Sequence, residues 1–145
     1  YDCVIYASKQ KGKNYNIKIQ VAIPICSVCP CSKAISDSGA HNQRGLMIIK
    51  CQMDTAINIE SIIRCAENSA SAEVFSLLKR VDEKYITESS YENPKFVEDI
   101  VRDAWINLKQ LKFIRPISIS VENYESIHNH NAYAEIEYAG GIQND

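Results

Sequence analysis

The sequence carries no strong charge of either sign. Sixteen Lys and Arg face 18 Asp and Glu, a formal net charge of −2, so nothing points to a non-specific nucleic-acid partner. No apolar run nears the roughly 20 residues of a membrane span, and no secretory leader is visible. Neither a membrane partner nor export is therefore expected, and the expected location is cytoplasmic. There is no glycine-rich phosphate loop. Phosphates of any ligand must then meet basic side chains, with Lys33, Arg44, Lys79, Arg80 and Lys84 as candidates. Internal repeats and low-complexity segments are missing as well. Histidine is scarce: the chain has three, and all fall in polar connections between strand-like segments.

What is present has a globular balance, 46% hydrophobic and 23% charged over 145 residues, which suits one domain. A core of this size needs no disulfides. Six cysteines are present: Cys3, Cys26, Cys29, Cys31, Cys51 and Cys65. Cys51 and Cys65 lie in apolar periodic segments and read as small buried hydrophobes. Without a secretory signal the thiols are expected to be reduced.

Residues Tyr15 to Ile23 alternate, with Ile17, Ile19, Val21 and Ile23 on one side, as in a half-buried strand. Pro24 is expected to limit it. Arg44 to Asp54 reads as a second strand, with Met47, Ile49, Cys51 and Met53 on one face, pairing antiparallel with the first. Between them Ser32 or Ser36 is placed to cap a short turn. The middle reads as helical. Asn58 caps a helix bearing Ile59, Ile62, Ile63 and Ala66, and Ser71 starts a turn set with Val74, Leu77 and Leu78. Asp82 to Asn93 reads as polar and irregular. Asn93-Pro94 is expected to open the clearest helix, with Asn as cap and Pro at the first position. Its buried stripe is Val97, Ile100, Val101, Ala104, Trp105 and Leu108. Two strands close the chain, one with Ile117, Ile119 and Val121, the other with Ala134, Ile136 and Tyr138. The order strand-strand, helices, strand-strand predicts an α+β fold, an antiparallel sheet with helices on one face.

Three groups of residues could carry chemistry. Cys26, Cys29 and Cys31 crowd one loop, and His41 could complete a metal set with them, although no second Cys-x-x-Cys pair exists. Cysteines that merely pack, or a redox pair, are the other readings. His128 and His130 project to one side if their segment is extended, with Glu125 three residues ahead. Thiolate, imidazole and carboxylate together suit zinc, or iron or manganese when oxygen ligands enter. Glu83 and Glu98 would ordinarily be solvated acids. A glutamate can, however, accept two parallel hydrogen bonds from a guanine edge.

The stretches Cys29-Pro-Cys-Ser-Lys33, Gly39-Ala-His-Asn-Gln-Arg44, Leu78-Lys-Arg80, Asp82-Glu-Lys-Tyr85, Asn93-Pro-Lys-Phe-Val-Glu-Asp99 and Glu122-Asn-Tyr-Glu-Ser-Ile-His-Asn-His-Asn-Ala-Tyr-Ala134 resemble GTP cyclohydrolase IB. This is the metal-dependent second class of GTP cyclohydrolase I, related to the archaeal enzyme of methanopterin synthesis. The resemblance implies a tunnelling fold, with residues 1–145 forming one unit, the C-terminal part of a longer two-unit chain, and assembly into a homotetramer. The start at Tyr1 rather than Met agrees with an N-terminal portion lying outside this sequence.

The resemblance also assigns roles. Cys29, His41, Glu83 and His128 are implied as ligands of a divalent metal (zinc, manganese or iron). The resemblance leaves open whether Glu83 or Glu125 supplies the carboxylate. Glu98 is implied as the guanine anchor, with Lys33 and Arg44 binding substrate. Cys31, His130 and Glu125 are implied as catalytic, and Cys26 as a bystander. The implied reaction is hydrolysis of GTP to 7,8-dihydroneopterin triphosphate and formate. Two alternatives stand beside it: a non-catalytic, metal-stabilised oligomerisation unit, and an archaeal-type variant that makes a cyclic phosphate product.

Overall fold

The computed structural model describes residues 1–53, 58–112 and 114–138. Its elements in chain order are β1 (Asp2–Lys9), β2 (Tyr15–Val28), α1 (Pro30–Ile35), β3 (Asn42–Met53), α2 (Ile59–Glu67), β4 (Ala72–Glu73), α3 (Arg80–Glu92), α4 (Val97–Gln110), β5 (Ile114–Asn123) and β6 (Ala132–Glu137). One antiparallel sheet runs in the order β1-β2-β3-β5-β6, and the short β4 pairs with β2. This is the α+β arrangement expected for a tunnelling-fold unit.

Alternation decides which face is buried. Ile19, Val21, Ile23 and Ile25 of β2, Met47, Ile49 and Cys51 of β3, and Ile119 and Val121 of β5 point to one side. There they meet Ile62 and Ala66 of α2 and Val97, Ile100, Val101, Ala104 and Leu108 of α4. Each fully buried Leu or Ile stabilises this layer by about 1.5–3 kcal/mol relative to exposure. Asn58 caps α2 as its position predicts, accepting the Glu60 N–H at 3.1 Å. Asp54, where the sequence pattern ended β3, lies outside the described residues.

Several local expectations are corrected. Pro24 does not stop β2, which continues to Val28. Pairing with β1 ends at Ala22 and pairing with β4 begins at Ile25, so a residue without an N–H sits in the gap between the two partners. Residues 80–92 are a helix, not an irregular stretch. This helix is polar nearly all round, so no apolar stripe announces it. Local pairs support it instead: Asp82 accepts the Lys79 N–H at 3.2 Å, and Arg80–Glu83 and Lys84–Glu88 pair at 3.0 and 3.7 Å. Asn93 closes this helix rather than opening the next, and its side chain donates to the carbonyls of Ala70 and Ser71. The next helix, α4, starts at Val97 with Phe96 as cap. Ser71 starts no helix: the Ala72–Glu73 bridge follows it, and its hydroxyl accepts the Val28 N–H at 3.0 Å.

The sheet also has a strand that the pattern did not show. All of β1 is exposed, so it lacks the alternation that a half-buried strand displays. It is joined to β2 by a turn in which Lys13 N–H donates to the Gln10 carbonyl at 3.0 Å. Gly12 supplies the φ of 80° that this turn needs at its third position.

Candidate active site

The ends of β2 and β5 and the starts of β3 and β6 lie at one end of the sheet, because neighbouring strands run antiparallel. Cys29 follows β2, His41 precedes β3, and Glu125, His128 and His130 lie in the β5–β6 connection. Pairing carries both segments to the same place. Val28 opposes Asn42, Gly45 opposes Asn123, and Tyr124 N–H donates to the Arg44 carbonyl at 2.9 Å. The β5–β6 connection is clamped at its base, where Asn131 donates to Glu122 at 2.8 Å.

The cysteine loop is built by its own side chains. Cys29, not Ser32 or Ser36, is the N-cap of α1, and its Sγ accepts the Ser32 N–H at 3.5 Å. The Ser32 hydroxyl donates to the Cys29 carbonyl and accepts the His41 N–H at 3.1 Å. Cys29 N–H in turn donates to the His41 carbonyl at 3.1 Å. Cys29 and His41 are thus held side by side through backbone bonds. Cys31 is exposed on α1. Burial pushes the Cys26 thiol up, which keeps it protonated near neutral pH.

The three histidines come together. The rings of His41 and His128 meet edge to face at 6.3 Å between centroids, and His128 stacks on His130 at 5.2 Å. The segment bearing the pair is bent rather than extended, yet both rings fall on one side. His41 Nδ1 lies 3.0 Å from Gln43 Oε1 and 3.3 Å from Ser126 Oγ. Gln43 Nε2 donates to Glu125 Oε1 at 3.2 Å. Glu125 therefore reaches His41 through Gln43, a residue that the sequence reading passed over. The one available signal was its place two residues after His41, at the start of β3.

Other candidate residues stand apart. Glu83 is in the first turn of α3 and pairs with Arg80. Lys33 Nζ donates to the Tyr91 carbonyl and lies 4.3 Å over the Tyr91 ring, which ties α1 to the last turn of α3. Glu83 is eight residues earlier on that helix, about 12 Å along its axis. Glu98 is exposed in the first turn of α4, and Arg44 is exposed on β3. Among the described residues no group of three or more His, Cys, Asp or Glu side chains is close enough to hold a metal ion. The donor chemistry nevertheless fits a divalent ion on the loop side, where a thiol and two imidazoles come from facing connections. The fourth implied ligand, Glu83, is on a different element.

The family described as Type I GTP cyclohydrolase folE2 matches residues 1–134 of this chain. The chain belongs to that family. GTP cyclohydrolase FolE2 of Desulfosudis oleivorans is 51% identical over 136 residues, which cover 94% of this chain and 52% of that protein. The proteins of the same name from Methylobacillus flagellatus and Syntrophobacter fumaroxidans are 51% and 48% identical over 137 residues each. These cover 94% of this chain and 51% and 53% of the respective relatives. The chain spans about half the length of the curated relatives it matches.

Proposed function

We propose that this chain is a unit of a metal-dependent GTP cyclohydrolase, converting GTP and water to formate and 7,8-dihydroneopterin triphosphate. The observation that carries the reading is the gathering of Cys29, His41 and His128 at one sheet end in a chain of this family. Cys29, His41 and His128, with the carboxylate of Glu83, would hold zinc, manganese or iron. When bound, such an ion supplies Lewis acidity and makes water a nucleophile near neutral pH.

The chain's own residues do the rest. Glu98 projects from the first turn of α4, a helix fixed by its buried stripe, and accepts the N–H groups of the guanine edge. Orientation of the base places carbon 8 of its imidazole ring toward the histidines. His130, stacked on His128, protonates a ring nitrogen as the carbon–nitrogen bonds break and formate leaves. Cys31 borders the same loop as a proton-transfer group. Arg44 and Lys33 face the triphosphate, and Lys33 must leave Tyr91 to do so. The chain is read as one of two units in a longer polypeptide, assembling as a homotetramer in the cytoplasm; no helix among the described residues is long and apolar enough to cross a membrane.

Protein loaded anaerobically with zinc, manganese or iron and incubated with GTP is expected to release formate and, after oxidation, a fluorescent pterin. No product with any of the three metals overturns the enzyme reading and favours a metal-stabilised oligomerisation unit. A cyclic phosphate product selects the archaeal-type variant. His128→Ala is expected to lower the bound metal at least about ten-fold, no less than a change in a group that only supports a ligand. Metal content that does not move removes His128 from the ligand set.

A further inference from the structure

Gln43 is buried, at 7% exposure, at the end of the core-facing side of β3. A glutamine there must place its amide oxygen and its amide N–H₂ against suitable partners. Its two neighbours leave one solution. Glu125 is a carboxylate, which only accepts, so the side facing it must be the amide nitrogen, at 3.2 Å. The amide oxygen then faces His41 Nδ1 at 3.0 Å, and oxygen only accepts. His41 Nδ1 must therefore carry the proton. The Ser126 hydroxyl, 3.3 Å from the same nitrogen, can share that N–H as a second acceptor. In the neutral ring this leaves a lone pair on Nε2.

We propose that Gln43 is a positioning residue that carries the orientation set by Glu125 to His41 and fixes the His41 tautomer with Nε2 free to bind a metal. The proposal deepens the proposed function, since it concerns a residue read there as a ligand. It also revises the part of Glu125, which acts through Gln43 on the ligand rather than on the substrate. A carbonyl or carboxylate behind a ligating histidine fixes the ring and raises its basicity, and losing it typically costs about 10- to 100-fold in metal affinity.

The test is a two-bond proton–nitrogen correlation spectrum of the protein with ¹⁵N-labelled histidine, metal-free, at a pH where the rings are neutral. The three patterns are assigned with His128→Ala and His130→Ala. His41 is expected to show a pyrrole-like Nδ1 and a pyridine-like Nε2; the opposite tautomer in the unsubstituted protein overturns the proposal without any variant. Gln43→Met keeps the length and apolar bulk and removes both amide groups. It is expected to mix the two tautomers and to weaken zinc binding, titrated without GTP, by about 10- to 100-fold. Gln43→Glu combined with Glu125→Gln keeps an acceptor against His41 and a donor–acceptor pair behind it. This double exchange is expected to restore the tautomer and to bring zinc affinity back above that of Gln43→Met, which a merely structural role for Gln43 does not predict. An unchanged tautomer and zinc affinity in Gln43→Met sinks the idea. If GTP is not turned over while the tautomer behaves as described, the proposed reaction falls and the role of Gln43 stands.

Discussion

Glu98→Gln is expected to lower turnover of GTP by roughly 10³-fold and to leave bound metal unchanged. Glu98 sits on the best-anchored of the described helices, since Val97, Ile100, Val101, Ala104 and Leu108 are all buried on α4. Its carboxylate is exposed and makes no ion pair or hydrogen bond among the described residues, so the substitution takes little from stability. A carboxylate offers two acceptors to the two N–H groups of the guanine edge. The amide keeps one acceptor and turns a donor against a donor at the other. Each charge-assisted bond contributes about 1.5–3 kcal/mol, and losing the pair corresponds to about 10²- to 10⁴-fold in rate. The measurements are kcat/KM for GTP and metal content on the same preparations. Inosine triphosphate, which lacks the exocyclic amino group, sharpens the test: it should be a poor substrate for the parent protein and lose much less on Glu98→Gln. Retained GTP turnover in the variant refutes the anchor.

The fold was legible where burial is one-sided. The alternation of Ile19, Val21, Ile23 with polar residues, and the spacing of Val97, Ile100, Val101, Ala104 and Leu108, each report contact with the same layer. They lost force where an element touches little. Helix α3 buries only Ser90, and β1 buries nothing, so periodicity had no core to record. The remaining misreadings come from residues whose local preference is overruled by neighbours. Pro24 is tolerated because its place in the sheet lacks a partner on one side. Asn93 ends a helix instead of starting one because its amide is engaged by two carbonyls of the segment before β4.

The candidate site was legible by residue type and not by grouping. Three histidines confined to two connections do meet, and Cys29 lies beside His41, the histidine named as able to complete its set. The sequence could not show that Lys33 is held by Tyr91, because the two are 58 residues apart. Nor could it separate Glu83 from Glu125. Pairing between β3 and β5 separates them: it delivers Glu125 to Gln43 at the sheet end, whereas Glu83 rides on α3. A carboxylate that reaches its histidine through an amide differs in kind from one that would reach a metal directly.

Gly45→Ala is expected to destabilise the protein by about 1–3 kcal/mol, the usual range for overpacking, and to disturb the site beyond that loss. Gly45 is in the middle of the sheet between β2 and β5, opposite Ile25 and Asn123. A Cβ there would lie 2.5 Å from Asn123 Oδ1, 3.0 Å from the Glu122 carbonyl oxygen and 3.3 Å from Ile25 Cγ1. The carbonyl belongs to the β5 backbone and cannot step aside alone. Asn123 is 2% exposed, so its side chain has little room to turn. The strain must pass into the end of β5, and from there into the connection that carries Glu125, His128 and His130. Thermal or urea unfolding reads the stability loss, and the histidine ring signals read the movement of the site. Gly45→Ala combined with Asn123→Ala removes the tightest contact. The Asn123 Oδ1 atom is buried without a hydrogen-bond partner among the described residues, so its removal breaks no bond seen there that this oxygen accepts. The pair of substitutions is therefore expected to be more stable than the sum of the two single changes predicts. An unchanged midpoint in Gly45→Ala would mean that the strands part more easily here than their register implies. Strict additivity in the double variant would place the strain on the Glu122 carbonyl alone.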